Sequence, residues 1–555
     1  MLWLSHAVML VSRSRRHSFM PVPSQPNRSP WLAPPELLFL GVVVLCWALF
    51  VIWLGKDTSW DFRNYHWYIP YAFLNGRSGF DVSVAHQATY YNPFLDIPFY
   101  LLATHTHSWI ALGVLGAAQG ANVVPLYVIA RSILKVAAKR LWAAATALLC
   151  VVGGLNVGLT GATYYDNVLS VFLLSSLAVV VVFRDLLREG PLSRVATVCG
   201  VAGLLVGAAT GLKLPEAPFT IGLATALLLM PGSLKYRFVR VIAAGLGGAL
   251  GLFLFAGYWF LKLYRETGNP LFPYFNQYFQ SPLALHASYR DTRFIPHRVS
   301  KRLLFPILFS LDWQVADDLP FQDIRVGLTY ILGIATLPVW LFRRRASDSL
   351  VDPVAAVALF AFAAVSYVIW LLLFGIYRYI ICLEMLAPIL IVAAVGVWPI
   401  GRRARFAVLA VLSTAIVATT RFGILDKAPL GDPYVQATIP PIRNPDHSMV
   451  LMAGEAPMGY LVPSLPRQIP VLRIDGWMIQ PEDGSRLTAQ TRARVTAFKG
   501  NLYVITNEYE VGRAGDALAD YGLGMRWTEC QLFTTNLGGP YRFCPLKHIP
   551  PKENS

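Results

Sequence analysis

From Leu37 to Leu54 the chain runs without a single charge, and the residues that end the run, Gly55, Lys56 and Asp57, are abruptly polar. A run of about 18 apolar residues crosses the hydrocarbon core of a bilayer as a helix, since backbone N–H and C=O groups find partners there only within the segment itself. Similar runs begin near residues 108, 141, 167, 195, 216, 239, 326, 352, 379 and 406, which with the first makes eleven. The first run is too long for a cleavable signal, has no small-residue cleavage site and is followed by further spans, so it is expected to stay in the membrane. With 55% of residues hydrophobic and 14% charged, the expectation is a mainly α, polytopic membrane protein with about 11 transmembrane helices.

Basic residues orient such a chain, because Lys and Arg in short loops favour the cytoplasmic side. Taken alternately, one set of loops carries Arg13, Arg15, Arg16 and Arg28; Arg131, Lys135, Lys139 and Arg140; Arg184, Arg188 and Arg194; Lys235, Arg237 and Arg240; Arg343, Arg344 and Arg345; and Arg402, Arg403 and Arg405. The opposite short loops hold only Lys56, Arg63, Arg77, Lys213 and Arg378. The N-terminus is therefore expected inside and the C-terminus outside. The net charge of +16 belongs to this topology and to anionic headgroups of membrane lipids. No basic stripe with a nucleic-acid motif accompanies it, so no nucleic-acid partner is expected.

Hydropathy divides the chain into a tail (1–35), a membrane part (36–420) and an external part (421–555). The tail has Arg and no acid, which suits a disordered cytoplasmic segment, with an organellar transit peptide as the alternative. External segments at 55–93, 161–166 and 265–325 interrupt the membrane part. The last is long and rich in aromatics and proline, as functional loops often are. After residue 420, strand-like runs (Ser448 to Gly454, Ile469 to Ile474, Asn501 to Thr506) alternate with segments of helical character, which suggests a small external α/β domain. Cys530 and Cys544 fall in that part, and in an oxidising compartment they are candidates for a disulfide, two free thiols being the alternative.

The stretch KDTSWDFRNYHWYIPYAFLNGR, Lys56 to Arg77, opens the first external segment. Helical spacing would put Asp61, Tyr65 and Tyr68 on one face, with Pro70 bending or ending the helix. Its aromatics suit a membrane–water boundary without any further role. Asp61 alone reads as a helix cap or a solvated charge, but Asp166 is the only charged residue between Arg140 and Arg184 and lies on the same expected side. Either Asp166 caps a helix, or two carboxylates converge on one cleft, one to take a proton from a hydroxyl and one to position the attacking group or a divalent cation. Lys213 with Glu216 in GLKLPEAP, and Arg378 with Glu384 in GIYRYIICLE, stand at junctions of the same side. They serve either as interfacial anchors or as phosphate ligands. His105 and His107 lack a third metal ligand, and no phosphate loop or nucleophile triad is present.

This arrangement resembles the GT-C superfamily of membrane glycosyltransferases, which use polyprenyl-phosphate-linked sugars. The residues that carry the resemblance are the DxxxYxxxxxxAxxxG pattern at Asp61, Tyr65, Ala72 and Gly76, YYNPFLDIPFYLL, the acid of TYYDNVLS, GLKLP, GNPLFPYFN and YRYxxxxE. It implies inverting transfer with Asp61 as general base, Asp57 being its competitor, and Asp166 orienting the acceptor or a cation. It also implies substrate binding by Tyr65, His66, Lys213, Arg378 and Glu384. The donor would be a polyprenyl-phosphate sugar and the acceptor an envelope glycan or glycolipid, in a bacterial inner membrane with a periplasmic C-terminus. Metal dependence varies across the superfamily and stays open, a divalent metal ion being the one candidate cofactor. Paired acids in the first loop and a WWDYG-type signature are both missing, which puts protein as acceptor in doubt. A flippase or transporter of lipid-linked sugars, and a glycan polymerase or ligase, remain as alternatives.

Overall fold

A computed structural model describes residues 32–342 and 345–549. The expected tail up to residue 31, and Arg343 and Arg344, lie outside the described residues. Among those described, six helices are long and apolar enough to cross a membrane: Pro34–Leu54, Ser108–Ile133, Leu192–Leu212, Leu234–Thr267, Pro353–Leu373 and Tyr377–Gly396. Asp166–Val182, Leu214–Leu229 and Arg325–Leu341 are apolar but shorter. The remaining two of the eleven expected spans fall on Lys139–Val151, only 13 residues long, and on Arg402–Thr419, which opens with basic residues.

Burial sorts these helices. The Pro34–Leu54 helix has 11% of its most apolar window buried and turns Leu38, Leu45, Leu49 and Trp53 outward, the pattern of a lipid-facing helix. Tyr377–Gly396 has 89% of its window buried and forms the central post of the bundle.

The tightest helix pair is Leu192–Leu212 against Leu234–Thr267. A Cβ added at Gly203 would stand 2.0 Å from the Ala244 carbonyl oxygen, and one at Gly207 2.1 Å from that of Gly248. Without a hydrophobic drive between helices in lipid, such close backbone approach through small residues supplies the packing attraction. Gly207→Val should therefore lower the thermal midpoint in detergent by an amount corresponding to about 1–3 kcal/mol. Gly245→Val, where a Cβ would meet nothing within 4 Å, should leave it within about 0.5 kcal/mol.

The loops gather at two ends. At one, Glu36 accepts from Tyr127 and pairs with Arg131 at 3.0 Å, while Asp352 pairs with Lys135 and Arg184, and Arg405 with Asp348. The basic loops of the expected cytoplasmic set thus meet one another. At the other end the segments 55–93, 161–166 and 265–325 meet the chain after residue 420. Strand β1 (Lys56–Asp57) pairs antiparallel with β2 (Lys427–Ala428), stitching the exit of the first helix to the chain beyond the last.

The C-terminal part is a small sheet domain. Its strands are β3 (Ser448–Ala453), β4 (Val471–Asp475), β5 (Asn501–Asn507), β6 (Leu523–Met525), β7 (Gln531–Thr535) and β8 (Gly538–His548), in the order β4-β3-β5-β8-β6 with β7 beside β8. Strands β4, β3 and β5 are parallel, whereas β8 runs antiparallel to β5, β6 and β7. All six residues of β3 are buried, because both of its faces are covered. Val450 and Met452 pack with Phe62, Trp67 and Tyr68 of the first loop. Leu451 and Ala453, on the opposite face, pack with Ala514 and Leu518 of the Val511–Asp520 helix. One core is thus shared between the sheet and the membrane part, which holds the domain in a fixed place over the loops.

Cys530 and Cys544 are joined in a disulfide across 14 residues. On the chain-entropy model, closing a loop of that size is worth about 3 kcal/mol. Reduction of the folded protein, or Cys544→Ala, should lower the unfolding midpoint of this domain by that equivalent, measured by differential scanning fluorimetry with and without dithiothreitol.

Candidate active site

From Trp60 the chain turns helically, widens into a π-helical stretch at Phe62–His66 and resumes as the helix Tyr68–Leu74. Pro70 explains the irregularity: it has no N–H to give to the carbonyl of His66, and the regular turn is broken at that residue. π-Helical stretches often accompany functional side chains. Here the extra residue per turn keeps the Tyr65 hydroxyl over Asp61, with Tyr65 Oη donating to Asp61 Oδ2 at 3.1 Å. Tyr68, expected on the same face, instead donates to Asp81, which Arg77 grips through two nitrogens.

Arg378 reaches Asp61 from the tip of the central helix. Its Nη1 donates to Asp61 Oδ2 at 3.0 Å, and the guanidinium lies 4.4 Å from the Tyr164 ring centre and 5.3 Å from that of Tyr379. Its backbone N–H is held by Asp317 Oδ2 at 2.9 Å. Burial pushes the Asp317 carboxyl up to about 6, and Arg378 opposes the shift. Both hydrogen bonds to Asp61 fall on Oδ2. Among the described residues nothing donates to Oδ1, and the side chain keeps 14% of its exposure. That oxygen is available to a hydroxyl from outside.

Asp166 opens the Asp166–Val182 helix behind Tyr165, which adopts a left-handed conformation. Lys213 Nζ donates to Asp166 Oδ1 at 2.5 Å and to the Tyr164 carbonyl at 3.0 Å, while Asp166 Oδ2 is buried without a partner. Lys213 also lies 5.2 Å from the Tyr379 ring centre, the ring that Arg378 approaches from its own position. The two carboxylate–cation pairs, Asp61–Arg378 and Asp166–Lys213, therefore share Tyr164 and Tyr379 between them. Tyr65 stands edge-on to Tyr91 at 5.3 Å, and the hydroxyls of Tyr91 and Tyr274 touch. Tyr274 belongs to the GNPLFPYFN segment, so the third loop reaches this cleft.

The other expected residues divide. His66 Nδ1 is 2.6 Å from Asp96 Oδ1, its ring lies tilted against that of Tyr65 and meets Tyr165 edge-on, and its Nε2 is buried without a partner. Asp57 is fully buried and accepts from Ser59 N–H and from both the N–H and hydroxyl of Thr163. It ties the 161–166 turn to the first loop and presents no oxygen to the cleft. Glu384 is also fully buried; it accepts from the N–H groups of Leu155 and Asn156 at the start of the Gly154–Gly158 helix. That is a structural anchor set apart from the cleft. Sequence inspection missed Asp96, Asp317 and Tyr164. Asp96 had a signal, as the one charge in the apolar run PFLDIPFYLL.

The residues do not fit a resident metal ion. Among the described residues no group of three or more His, Cys, Asp or Glu can hold one, and Asp61 and Asp166 are each neutralised by a cation of the chain itself. His107 is engaged by Asp432 at 2.6 Å.

No family model matches the chain, and no curated protein matches it. Among solved structures, the apo crystal structure of the Archaeoglobus fulgidus oligosaccharyltransferase is similar over 88% of this chain and 71% of that chain, with 12% sequence identity and a TM-score of 0.48. At that distance the likeness decides nothing about chemistry, which rests on the side chains above.

Proposed function

We propose that the chain is a GT-C-type membrane glycosyltransferase that moves a sugar from a polyprenyl-phosphate donor to an envelope glycan or glycolipid. The observation that carries this reading is the pairing of Asp61 with Arg378 and of Asp166 with Lys213 around shared tyrosines at one end of an apolar helix bundle. A hydroxyl of the acceptor gives its proton to Asp61 Oδ1 as its oxygen attacks the anomeric carbon from the face opposite the phosphate. The carbon–oxygen bond to phosphate breaks, the electron pair leaves on the phosphate oxygen, and the configuration inverts. Arg378 and Lys213 stabilise that developing charge, Arg378 through a fork that matches phosphate geometry. Asp166 keeps Lys213 in place and, with its free Oδ2, orients the acceptor. His66, held by Asp96, faces the same tyrosines and binds substrate through Nε2.

Bringing the donor phosphate to Arg378 also loosens the contact between its guanidinium and Asp61. The base then gains basicity only when the donor is bound, which limits hydrolysis of the donor by water. On this reading the chain lies in a bacterial inner membrane with eleven spans and opens its site to the periplasm; the Cys530–Cys544 disulfide supports the external placement of the C-terminal part. Mass spectrometry of envelope glycans and lipid-linked sugars, with and without the protein, tests the reading. A sugar missing from a glycan together with accumulated donor supports it, and an unchanged glycan profile contradicts it.

A further inference from the structure

At the carboxyl ends of β3 and β4 the chain turns through Gly454–Glu455 and Gly476–Trp477, the edge of a parallel sheet where ligands of open α/β domains bind. In this protein that edge faces the first loop of the membrane part. Arg473 donates from Nε and Nη2 to the Val84 carbonyl at 3.0 and 2.9 Å, and Trp477 N–H donates to His86 Nδ1 at 3.2 Å. With Nδ1 accepting, the proton of His86 sits on Nε2 and points at the Glu455 carbonyl, 3.3 Å away. Burial, aided by Arg473, pushes His86 well below the usual imidazole range, so it is a neutral, fixed ring. Gly476 permits the close approach, because a Cβ there would stand 2.5 Å from His86 Cε1.

On this ring lie two indoles. The centres of Trp60 and Trp477 are 4.8 Å apart at 18°, Trp477 and His86 5.2 Å at 27°, and Trp60 and His86 6.1 Å at 13°. The three near-parallel rings, from two parts of the chain, are stacked on one another. Trp477 nonetheless remains 47% exposed, which a ring serving only to clamp the domains together would not be. Polar groups rim it. Arg513 bridges Glu455 at 2.7 Å and Asp475 at 2.6 Å while keeping 38% side-chain exposure, and Glu455 keeps 40%. An indole face bordered by carboxylates and a guanidinium suits a pyranose, whose C–H face packs on the ring while its hydroxyls bond to the rim. Trp60 precedes Asp61 directly.

We propose that Trp477 and Trp60, edged by Glu455 and Arg513, form a saccharide subsite that holds a pyranose ring of the acceptor while an acceptor hydroxyl reaches Asp61. The assignment to the acceptor rests on the glycosyl-transfer reading; the binding of a sugar ring does not. The subsite gives the sheet domain a specific task, presenting the acceptor to a base that lies in the membrane part.

The test uses the full chain in detergent and saturation-transfer NMR with cellobiose, maltose, lactose and chitobiose. At least one is expected to bind, with affinity falling about 5- to 100-fold in Trp477→Ala, the size of losing one aromatic stacking partner, and largely kept in Trp477→Phe. Binding to none of the four, or equal binding to Trp477→Ala, overturns the proposal. In steady-state transfer, Trp477→Ala should raise the acceptor KM and leave the donor KM unchanged; a rise confined to the donor KM overturns the acceptor assignment. Trp477-dependent sugar binding in a protein that transfers nothing would keep the subsite and remove the glycosyltransferase reading, so the two fail separately.

Discussion

Asp61→Asn should abolish sugar transfer, with kcat falling about a thousandfold or more, while the protein still folds, inserts and binds its donor. A positioned base contributes about 10²–10⁴ to rate, and the amide cannot take the acceptor's proton. The substitution is isosteric, and the oxygen of the amide can still accept from Tyr65 or Arg378, so the two contacts at 3.1 and 3.0 Å have a partner to keep. Thermal unfolding should therefore shift little, and a donor-binding measurement should stay within a few-fold of wild type. Asp57→Asn supplies the contrast. Asp57 accepts three hydrogen bonds from Ser59 and Thr163 and is fully buried, so its loss should appear first as instability, by about 1–3 kcal/mol. A variant pair in which Asp57→Asn folds normally but loses all transfer, and Asp61→Asn stays active, would exchange their roles.

Arg378→Lys should cost about a hundredfold in kcat even though the charge is kept. The guanidinium does two things an ammonium cannot do together: it gives Nη1 to Asp61 and stacks its plane against Tyr164 and Tyr379. Removing one preorganised donor from a developing oxyanion costs about 10²–10³ in kcat, about 2.7–4 kcal/mol, and Lys keeps the charge, which puts the loss at the low end. The loss should lie mainly in kcat, because the interaction strengthens as phosphate departs. A second signature separates catalysis from mere donor binding. If Arg378 restrains Asp61 until donor arrives, Arg378→Ala should raise the ratio of donor hydrolysis to transfer. An unchanged ratio with a simple rise in donor KM would leave Arg378 as a binding residue only.

Local patterns were legible in the sequence because they depend on neighbours along the chain. Apolar runs mark the helices by length alone, and the spacing of four between Asp61 and Tyr65 places their side chains together within one turn. The places of β3, β4 and β5 followed, to within two residues at each end, from apolar runs of strand length. What stayed hidden depends on distant partners. Arg378 meets Asp61 across 317 residues, and only the packing of the central helix brings them together. Tyr68 looked equivalent to Tyr65, yet the π-helical turn before Pro70 rotates it away to Asp81. The resemblance in YRYxxxxE implied substrate binding by Glu384, but it lies six residues beyond Arg378, fully buried, and holds two backbone N–H groups. Asp96 read as part of a membrane entry because its surroundings are apolar; its partner His66 lies 30 residues earlier. Strand β8 carries Pro540, Arg542, Pro545 and Lys547, which mask its alternation, and β7 is only five residues long, so the antiparallel half of the sheet was not apparent.

The most direct measurement of the central claim is the stoichiometry of transfer by the purified chain in detergent, where no second compartment exists for transport. Supplied with lipid-linked sugars and envelope glycans extracted from the same cells, wild-type protein should release polyprenyl phosphate and form one new, configurationally inverted glycosidic bond for each phosphate released, and Asp61→Asn should do neither. Release of no polyprenyl phosphate by the wild type, or equal release by Asp61→Asn, would contradict the account.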